Sequence, residues 1–352
     1  MLRIDPTVQT LTVAGILAIS ISVLVSGTLS SHSQDKPPVK VAELAKGTWA
    51  ASATGRVEPK EGEIRVVAQT PGVILEVAAK TGDKVQAGDL LVRLDDSDAQ
   101  AKLTAALAEE AVRVLERDEE IAKGPALDRR NAEDAAAAAE RAVYAAQTTI
   151  DETARNIRAG TAAAGELTSA RTKLADAQAK FFSERAALAK VAARSDMPLP
   201  TRLESSLTLA RSDVTQVLNA IDRARVRAPG DGSILNIWAK QGEVAVTSPD
   251  APVALFGDLG ALRVRTEVEE RDVTKIRIGQ KAIVKADAFG NQEFTGTVTS
   301  IAPALGPQRI TSRGPRRPND VEVLEVMVAL DGQPPLLTGM RVDVFFKSDT
   351  AS

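Results

Sequence analysis

The sequence predicts a mixed α and β, multidomain chain: an N-terminal transmembrane helix, a split β-sandwich, a long antiparallel α-helical coiled-coil hairpin and a small C-terminal β-barrel. Three observations carry that prediction. Val8 to Leu29 holds no charged side chain over 22 residues. A twelve-residue motif occurs twice, at an offset of 160. Between its copies lie 128 residues, Ser97 to Ala224, with 34 alanines but three of the chain's 23 glycines, a composition that favours helix.

The apolar run comes first. As a helix it is ~33 Å long, enough for a hydrocarbon core of about 30 Å. No A-x-A-like site follows it, so it reads as an uncleaved single-pass anchor, with residues 1–30 forming a cytoplasmic tip and span. Arg3 and the α-amine set against Asp5 give only a weak orientation bias. Residues 31–63 read as a linker (Ser30 to Pro38 is polar) and membrane-proximal strands. The strand candidates there, Val39–Leu44 and Trp49–Val57, are placed to pair with C-terminal strands.

The repeat defines the sandwich. Gly72–Asp83 reads GVILEVAAKTGD and Gly232–Glu243 reads GSILNIWAKQGE, with six of twelve positions identical. Each copy is strand, turn, strand, with turn residues Gly72, Lys80 and Gly82 in one and Gly232, Lys240 and Gly242 in the other. Gly82 and Gly242 suit turn positions that need φ > 0. The halves, 64–96 and 225–258, make one small sandwich, since neither buries an apolar face alone.

The insertion, 97–224, starts with the capping box Ser97-Asp98-Ala99-Gln100. Leu167, Leu174, Phe181 and Leu188 recur every seven residues, as do Leu107, Val114 and Ile121. Leu203, Leu207, Ala210, Val214, Val217 and Ile221 alternate four-three. These stripes predict an intramolecular coiled coil with its tip near 160–165. Gly124-Pro125 interrupts one arm and Met197-Pro198-Leu199-Pro200 the other, followed by a fresh capping box at Thr201–Glu204. Side by side, the breaks leave each arm with two helical segments and a total reach of roughly 90 Å.

Residues 259–352 read as a β-barrel with membrane-proximal strands. The strand candidates are Leu262–Val268, Ala282–Ala286, Phe294–Ile301, Val321–Leu330 and Arg341–Phe346, with a short helix over Glu269–Ile276. Arg309, Arg313, Arg316 and Arg317 form a Pro-containing basic loop, read either as a contact to lipid headgroups or a transporter, or as a solvated loop.

Composition removes several function classes. The chain has 352 residues, no cysteine and one histidine, His32, so Cys/His zinc sites, thiol nucleophiles, iron–sulfur clusters and disulfides are excluded. A Ser-His-Asp triad would depend on His32, in a polar stretch near the N-terminus. Three per cent aromatics and a net charge of −3 argue against base stacking and nucleic-acid binding. Asp95-Asp96-Ser97-Asp98 reads as a helix start rather than a metal site, because no complete loop motif follows. Paired carboxylates, a phosphate-cradling loop and a nucleophile elbow are absent from the sequence. No enzyme and no cofactor is expected.

The order anchor, half sandwich, helical hairpin, second half, barrel resembles the periplasmic adaptor, or membrane fusion protein, family of the haemolysin-secretion type. Residues 55–68, GRVEPKEGEIRVVA, with 267–286, EVEERDVTKIRIGQKAIVKA, and 320–330, DVEVLEVMVAL, resemble the subgroup that serves ABC exporters of the heterocyst-glycolipid kind. The resemblance implies a lipoyl-like sandwich and a non-enzymatic adaptor in the inner membrane of a Gram-negative-type bacterium, with the bulk of the chain in the periplasm. It implies partners as well: an inner-membrane ABC permease and ATPase, a TolC-like outer-membrane channel, and further copies of the chain in a ring, commonly hexameric. Proton-driven (RND-type) efflux and a non-transport envelope-spanning role stay open as alternatives.

The family's channel-docking tips carry Arg, then Leu four on, then Ser eleven on. Here Arg158 and Ser169 keep the spacing and Ala162 stands at the middle position, so the implied docking tip is Arg158, Gly160, Gly165, Leu167, Thr168 and Ser169. Lys80 and Lys240 lie inside the repeat units, whereas a true lipoyl carrier presents its lysine in the hairpin joining the halves. They read as turn lysines.

Overall fold

The computed structural model describes residues 49–290, 292–308, 310 and 322–348. The expected anchor Val8–Leu29, the strand candidate Val39–Leu44 and the basic-loop residues Arg309, Arg313, Arg316 and Arg317 lie outside the described residues. Among the described residues no helix is long and apolar enough to cross a membrane.

Six strands close the barrel: β1 (Trp49–Pro59), β10 (Leu262–Glu269), β11 (Lys281–Lys285), β12 (Glu293–Pro307), β13 (Glu322–Leu330) and β14 (Arg341–Lys347), in the order β1-β10-β13-β12-β11-β14. The period-2 pattern sets the inward face. In β13, Leu324, Val326, Val328 and Leu330 are buried, and they meet Val57, Val264, Val284, Val298, Val344 and Phe346 in one core. The expected strand over Trp49–Val57 is thus a stave of the barrel itself, bonded to β10 on one side and β14 on the other. The expected short helix at 269–276 is a 3₁₀ segment, Glu270–Lys275.

The repeat folds as two interlocked halves. The first supplies β2 (Ile64–Val66), β3 (Gly72–Val77), β4 (Lys84–Val85) and β5 (Leu90–Leu94), and the second supplies β6 (Arg225–Arg227), β7 (Gly232–Ile237), β8 (Val244–Ala245) and β9 (Ala254–Gly257). The sheets are β2-β9-β7-β4 and β6-β5-β3-β8, so each contains strands of both halves. The turns cross-bond as mirror entries of the repeat. Gly82 N donates to Ile234 O, and Gly242 N to Ile74 O, both at 2.8 Å. Gly82 and Gly242 hold φ of 91° and 87°, which only glycine adopts without strain. Leu91, Leu94, Ile74, Ile234, Phe256 and Ala254 fill the core.

Four helices occupy the insertion: α1 (Ser97–Asp118), α2 (Pro125–Arg158), α3 (Ala164–Ala192) and α4 (Arg202–Arg223). They correct the expectation of a single hairpin reaching ~90 Å. The chain reverses at both breaks instead of continuing. Gly124 takes φ 57° and ψ −135°, outside helical space, and Pro198 and Pro200 offer no backbone donor. α2 therefore runs back along α1, as successive cross-helix pairs show: Arg117 to Asp134, Glu110 to Arg141, Gln100 to Tyr144. The result is an up-down-up-down bundle. The closest backbone packing is within α1–α4 and within α2–α3, the two pairings the heptads describe.

The buried stripe of α4 is the expected one, through Leu207, Ala210, Val214 and Ile221. That of α1 is not. Its heptad runs Leu103, Glu110, Arg117, whereas Leu107 is exposed and Ile121 lies beyond the helix. An apolar-only reading misses a seam whose second and third positions are charged.

Candidate docking surface

The two ends of the bundle are built differently. The end against the sandwich carries the α2–α3 turn, where the expected tip residues fall. Arg158 donates to Glu76 Oε1 of β3 at 3.0 Å, and Arg155 to Glu76 Oε2 at 3.1 Å. On α3, Arg171 donates to both carboxylate oxygens of Asp89 at 2.8 Å. In reverse sense, Asp151 of α2 accepts from Arg227 at 2.9 and 3.0 Å and from Arg225 at 3.4 Å. Burial works to raise the Glu76 pKa, but the hydrogen bond from Arg155 and the charges of Arg155, Arg158 and Arg93 leave it below the ordinary carboxylate range.

Gly160 follows the end of α2 and Gly165 opens α3. Leu167 is half-buried, while Thr168 and Ser169 are exposed. The structure thus gathers the expected tip residues at one turn, but sets that turn at the sandwich rather than at the far end. Of the repeat residues, Lys80, Gly82, Lys240 and Gly242 lie at the sandwich's cross-bonded turns, whereas Gly72 and Gly232, expected as turn residues, open strands β3 and β7. Lys80 and Lys240 are exposed.

The far end consists of residues 119–124 and 193–201. The two breaks do lie side by side: Arg194 of one donates to Asp128 Oδ2 at the start of α2, at 2.7 Å. Under them sits Glu204, 2% exposed. It takes 2.6 Å hydrogen bonds from Arg129 and from Arg130 and caps α4 by accepting from Thr201 N at 2.8 Å. Burial acts to raise the Glu204 pKa, and the Arg130 hydrogen bond, the Thr201 amide and the two guanidinium charges override it, so the carboxyl stays ionised below the usual range. Arg129 also donates to Pro198 O, tying α2 to the second break.

Two large apolar side chains crown this end, Ile121 at 84% and Leu199 at 90% exposure. The sequence reading assigned Ile121 to a coiled-coil seam and gave Leu199 no role. The available signal was that each lies inside a Gly/Pro break, where no helix face exists to bury it.

Along the side, α2, α3 and α4 enclose an open groove of about 780 Å³ lined by Glu133, Glu140, Phe181, Arg185, Leu188 and Arg211. Phe181 stacks under the Arg185 guanidinium at 5.5 Å. Burial pushes the Glu133 pKa up against the opposing charges of Arg129 and Arg211. Among the described residues no cluster of metal-ligating side chains is present.

A split sandwich with an α-helical insertion, joined to a six-stranded barrel, defines a class of multidomain adaptors. A family model described as "RND MFP, barrel-sandwich hybrid domain" matches residues 62–256, and one described as "YknX-like beta-barrel domain" matches residues 262–344. The chain belongs to the membrane fusion protein family.

It is 26% identical over 261 residues to "Multidrug resistance protein MdtN" of Escherichia coli O6:H1, covering 73% of this chain and 74% of that one. It is 24% identical to "Macrolide export protein MacA" of Yersinia pestis, over 73% of this chain and 59% of the relative. To "Multidrug export protein EmrA" of Escherichia coli K12 it is 26% identical, over 69% and 61%. The chain thus matches under two thirds of the length of MacA and EmrA. The crystal structure of MacA from Actinobacillus actinomycetemcomitans shares the fold, with a TM-score of 0.51 and 17% identity over 86% of this chain and 80% of that one.

Proposed function

We propose that this protein is the non-enzymatic adaptor subunit of a tripartite exporter, anchored in the inner membrane with the bulk of the chain in the periplasm. It links an inner-membrane ABC transporter to an outer-membrane channel. The observation that carries this reading is the interrupted repeat. Both halves of the sandwich are needed in each sheet, so the helical insertion is held at both ends by one rigid body and serves as a projecting arm rather than a tethered tail. Membership of the membrane fusion protein family and the export names of the relatives MacA and EmrA support it. Copies of the chain are proposed to form a ring, hexameric by family resemblance. The family model's description favours a second reading, in which the energised partner is a proton-driven RND pump.

A pull-down decides between them. Tagged full-length protein is briefly crosslinked in its native membranes, solubilised in mild detergent and read by mass spectrometry. A permease and an ATPase recovered together are the expected result. A proton-driven pump in their place moves the chain to the second reading. Efficient self-crosslinking with no transporter overturns both and leaves an envelope-spanning structural protein.

A further inference from the structure

The α2–α3 pair is packed as a separable arm. Each helix pair is close-packed within itself, but the two pairs meet mainly through long charged side chains. Arg117 and Arg211 reach Asp134, Arg141 reaches Glu110, and Arg129 and Arg130 reach Glu204. The apolar cluster beside the seam, Leu103, Val214 and Ile221, belongs to the α1–α4 pair itself, and from the other pair Tyr144 of α2 packs against it.

Both connections between the pairs are non-helical, adjacent in space, and carry chain-bending residues, Gly124 on one side and Pro198 and Pro200 on the other. The opposite end of the arm is held to the sandwich by Glu76, Asp89 and Asp151. Arg129 at the seam and Arg225 at the sandwich contact each keep a buried Nε without a hydrogen-bond partner, so both ends of the arm's contact are satisfied incompletely.

We propose that this is a folded-back, latched state, and that the α2–α3 arm swings open about the two adjacent breaks. The motion keeps both helix pairs intact. It exchanges the inter-pair ion pairs, the arm-to-sandwich ion pairs at Glu76, Asp89 and Asp151, and a small apolar contact for water, and such ion pairs return most of their Coulombic gain as solvation, which keeps the two states close in free energy. Opening carries the α2–α3 turn from Glu76 to the far side of the hinge. α1 with 22 residues and α2 with 34 would then lie end to end over about 84 Å. The latch is self-inhibitory: while it is closed, Arg158 is engaged by the chain's own sandwich and is unavailable to a partner. What the opening is for rests on the adaptor reading, but its existence does not.

The chain contains no cysteine, so labels can be placed uniquely. Nitroxides at Gln86→Cys and Ala163→Cys, both exposed positions, report the distance between sandwich and α2–α3 turn in the full-length protein by double electron–electron resonance. At about 50 mM salt a short distance dominates. At about 1 M salt, where the Debye length falls to ~3 Å, the long-distance population rises at least about tenfold.

Glu76→Gln combined with Asp151→Asn produces the same rise without added salt. Unchanged helical circular dichroism certifies that the arm has moved rather than melted. A short distance unmoved by salt and by the double variant makes the folded-back bundle permanent and overturns the proposal, as does a long distance alone at low salt. Neither outcome bears on which transporter is captured.

Discussion

The β domains and the helical domain reach stability by opposite routes. The barrel core is a continuous apolar cluster from Ala51 to Phe346, and the sandwich has a second one. In the helical domain the buried positions are shared with charge: Glu110, Arg117, Arg129, Arg130, Asp151 and Glu204 are all buried. Close apolar packing is lost only with the whole fold, because any partial opening leaves a cavity. An interface of ion pairs is lost more readily. Its desolvation cost offsets most of its Coulombic gain, and water re-solvates both partners when it opens. The lesson is that the sandwich and barrel form a fixed base, and the arm folded against it is the adjustable part.

The largest expected effect follows from cutting at that boundary. Deleting residues 126–195 removes α2 (but for Pro125) and α3, joins the two breaks into one short turn, and leaves α1 paired with α4 on an intact sandwich. Export falls to background while the base stays folded, as a retained cooperative β-sheet transition in thermal melting verifies. Export by a stable deletion protein ends the view that the arm is the working part.

The next effect breaks the charge seam itself. Glu204→Ala strands two buried guanidinium groups and costs about 3 kcal/mol of helical-domain stability by denaturant titration. Replacing Arg129, Arg130 and Glu204 together by Met, Met and Leu restores most of it, since no buried charge is then left unpaired. Acid acts in the same direction as Glu204→Ala. Glu204, Glu76 and Asp134 have pKa values lowered in the folded chain, Glu204 and Glu76 from 4.5 and Asp134 from 3.8. Their contribution is therefore complete above those ordinary values and is lost as pH falls through the lowered ones, because the unfolded chain takes up protons first. The helical signal is expected to lose stability on acidification through that window while the barrel, held by apolar packing, keeps its own. Equal loss in both domains removes the distinction.

What the sequence made legible divides along the same line. The sandwich was readable because a repeat with paired glycines and period-2 alternation encodes both strands and turns. The barrel strands were readable for the second reason. In the helices, each break and the turn at 160–165 were visible as Gly and Pro, but a break marks where a helix ends and not where the next one runs. The direction is set by Arg155 and Arg158 on Glu76 and Arg171 on Asp89, contacts 79 to 82 residues apart in sequence. Nothing local announces such pairs. The expected tip residues are therefore legible as a turn, while the position of that turn against the sandwich is not. The heptad template rewards apolar residues that extend a stripe, so it absorbs Ile121 into a seam although the helix ends at Asp118, and it passes over Leu199, which extends none.

The smallest effect tests how far the twofold likeness of the sandwich halves extends. Gly72 and Gly232 are equivalent in the repeat and both open a strand, yet their surroundings differ. A Cβ on Gly72 would meet Leu94 Cβ at 3.5 Å, an ordinary contact. On Gly232 it would lie 2.6 Å from Phe256 Cζ and 3.0 Å from Gly257 O, so an aromatic ring and a neighbouring strand would have to shift. Gly72→Ala is accordingly expected to stay within about 0.5 kcal/mol of the parent, and Gly232→Ala to lose about 1–2 kcal/mol through overpacking. The comparison is read from paired denaturation midpoints. Equal costs at the two sites mean that Phe256 moves aside freely and that the halves are interchangeable in packing as well as in topology. Unequal costs in the stated order assign the second half the tighter core, against which the returning end of α4 is fixed.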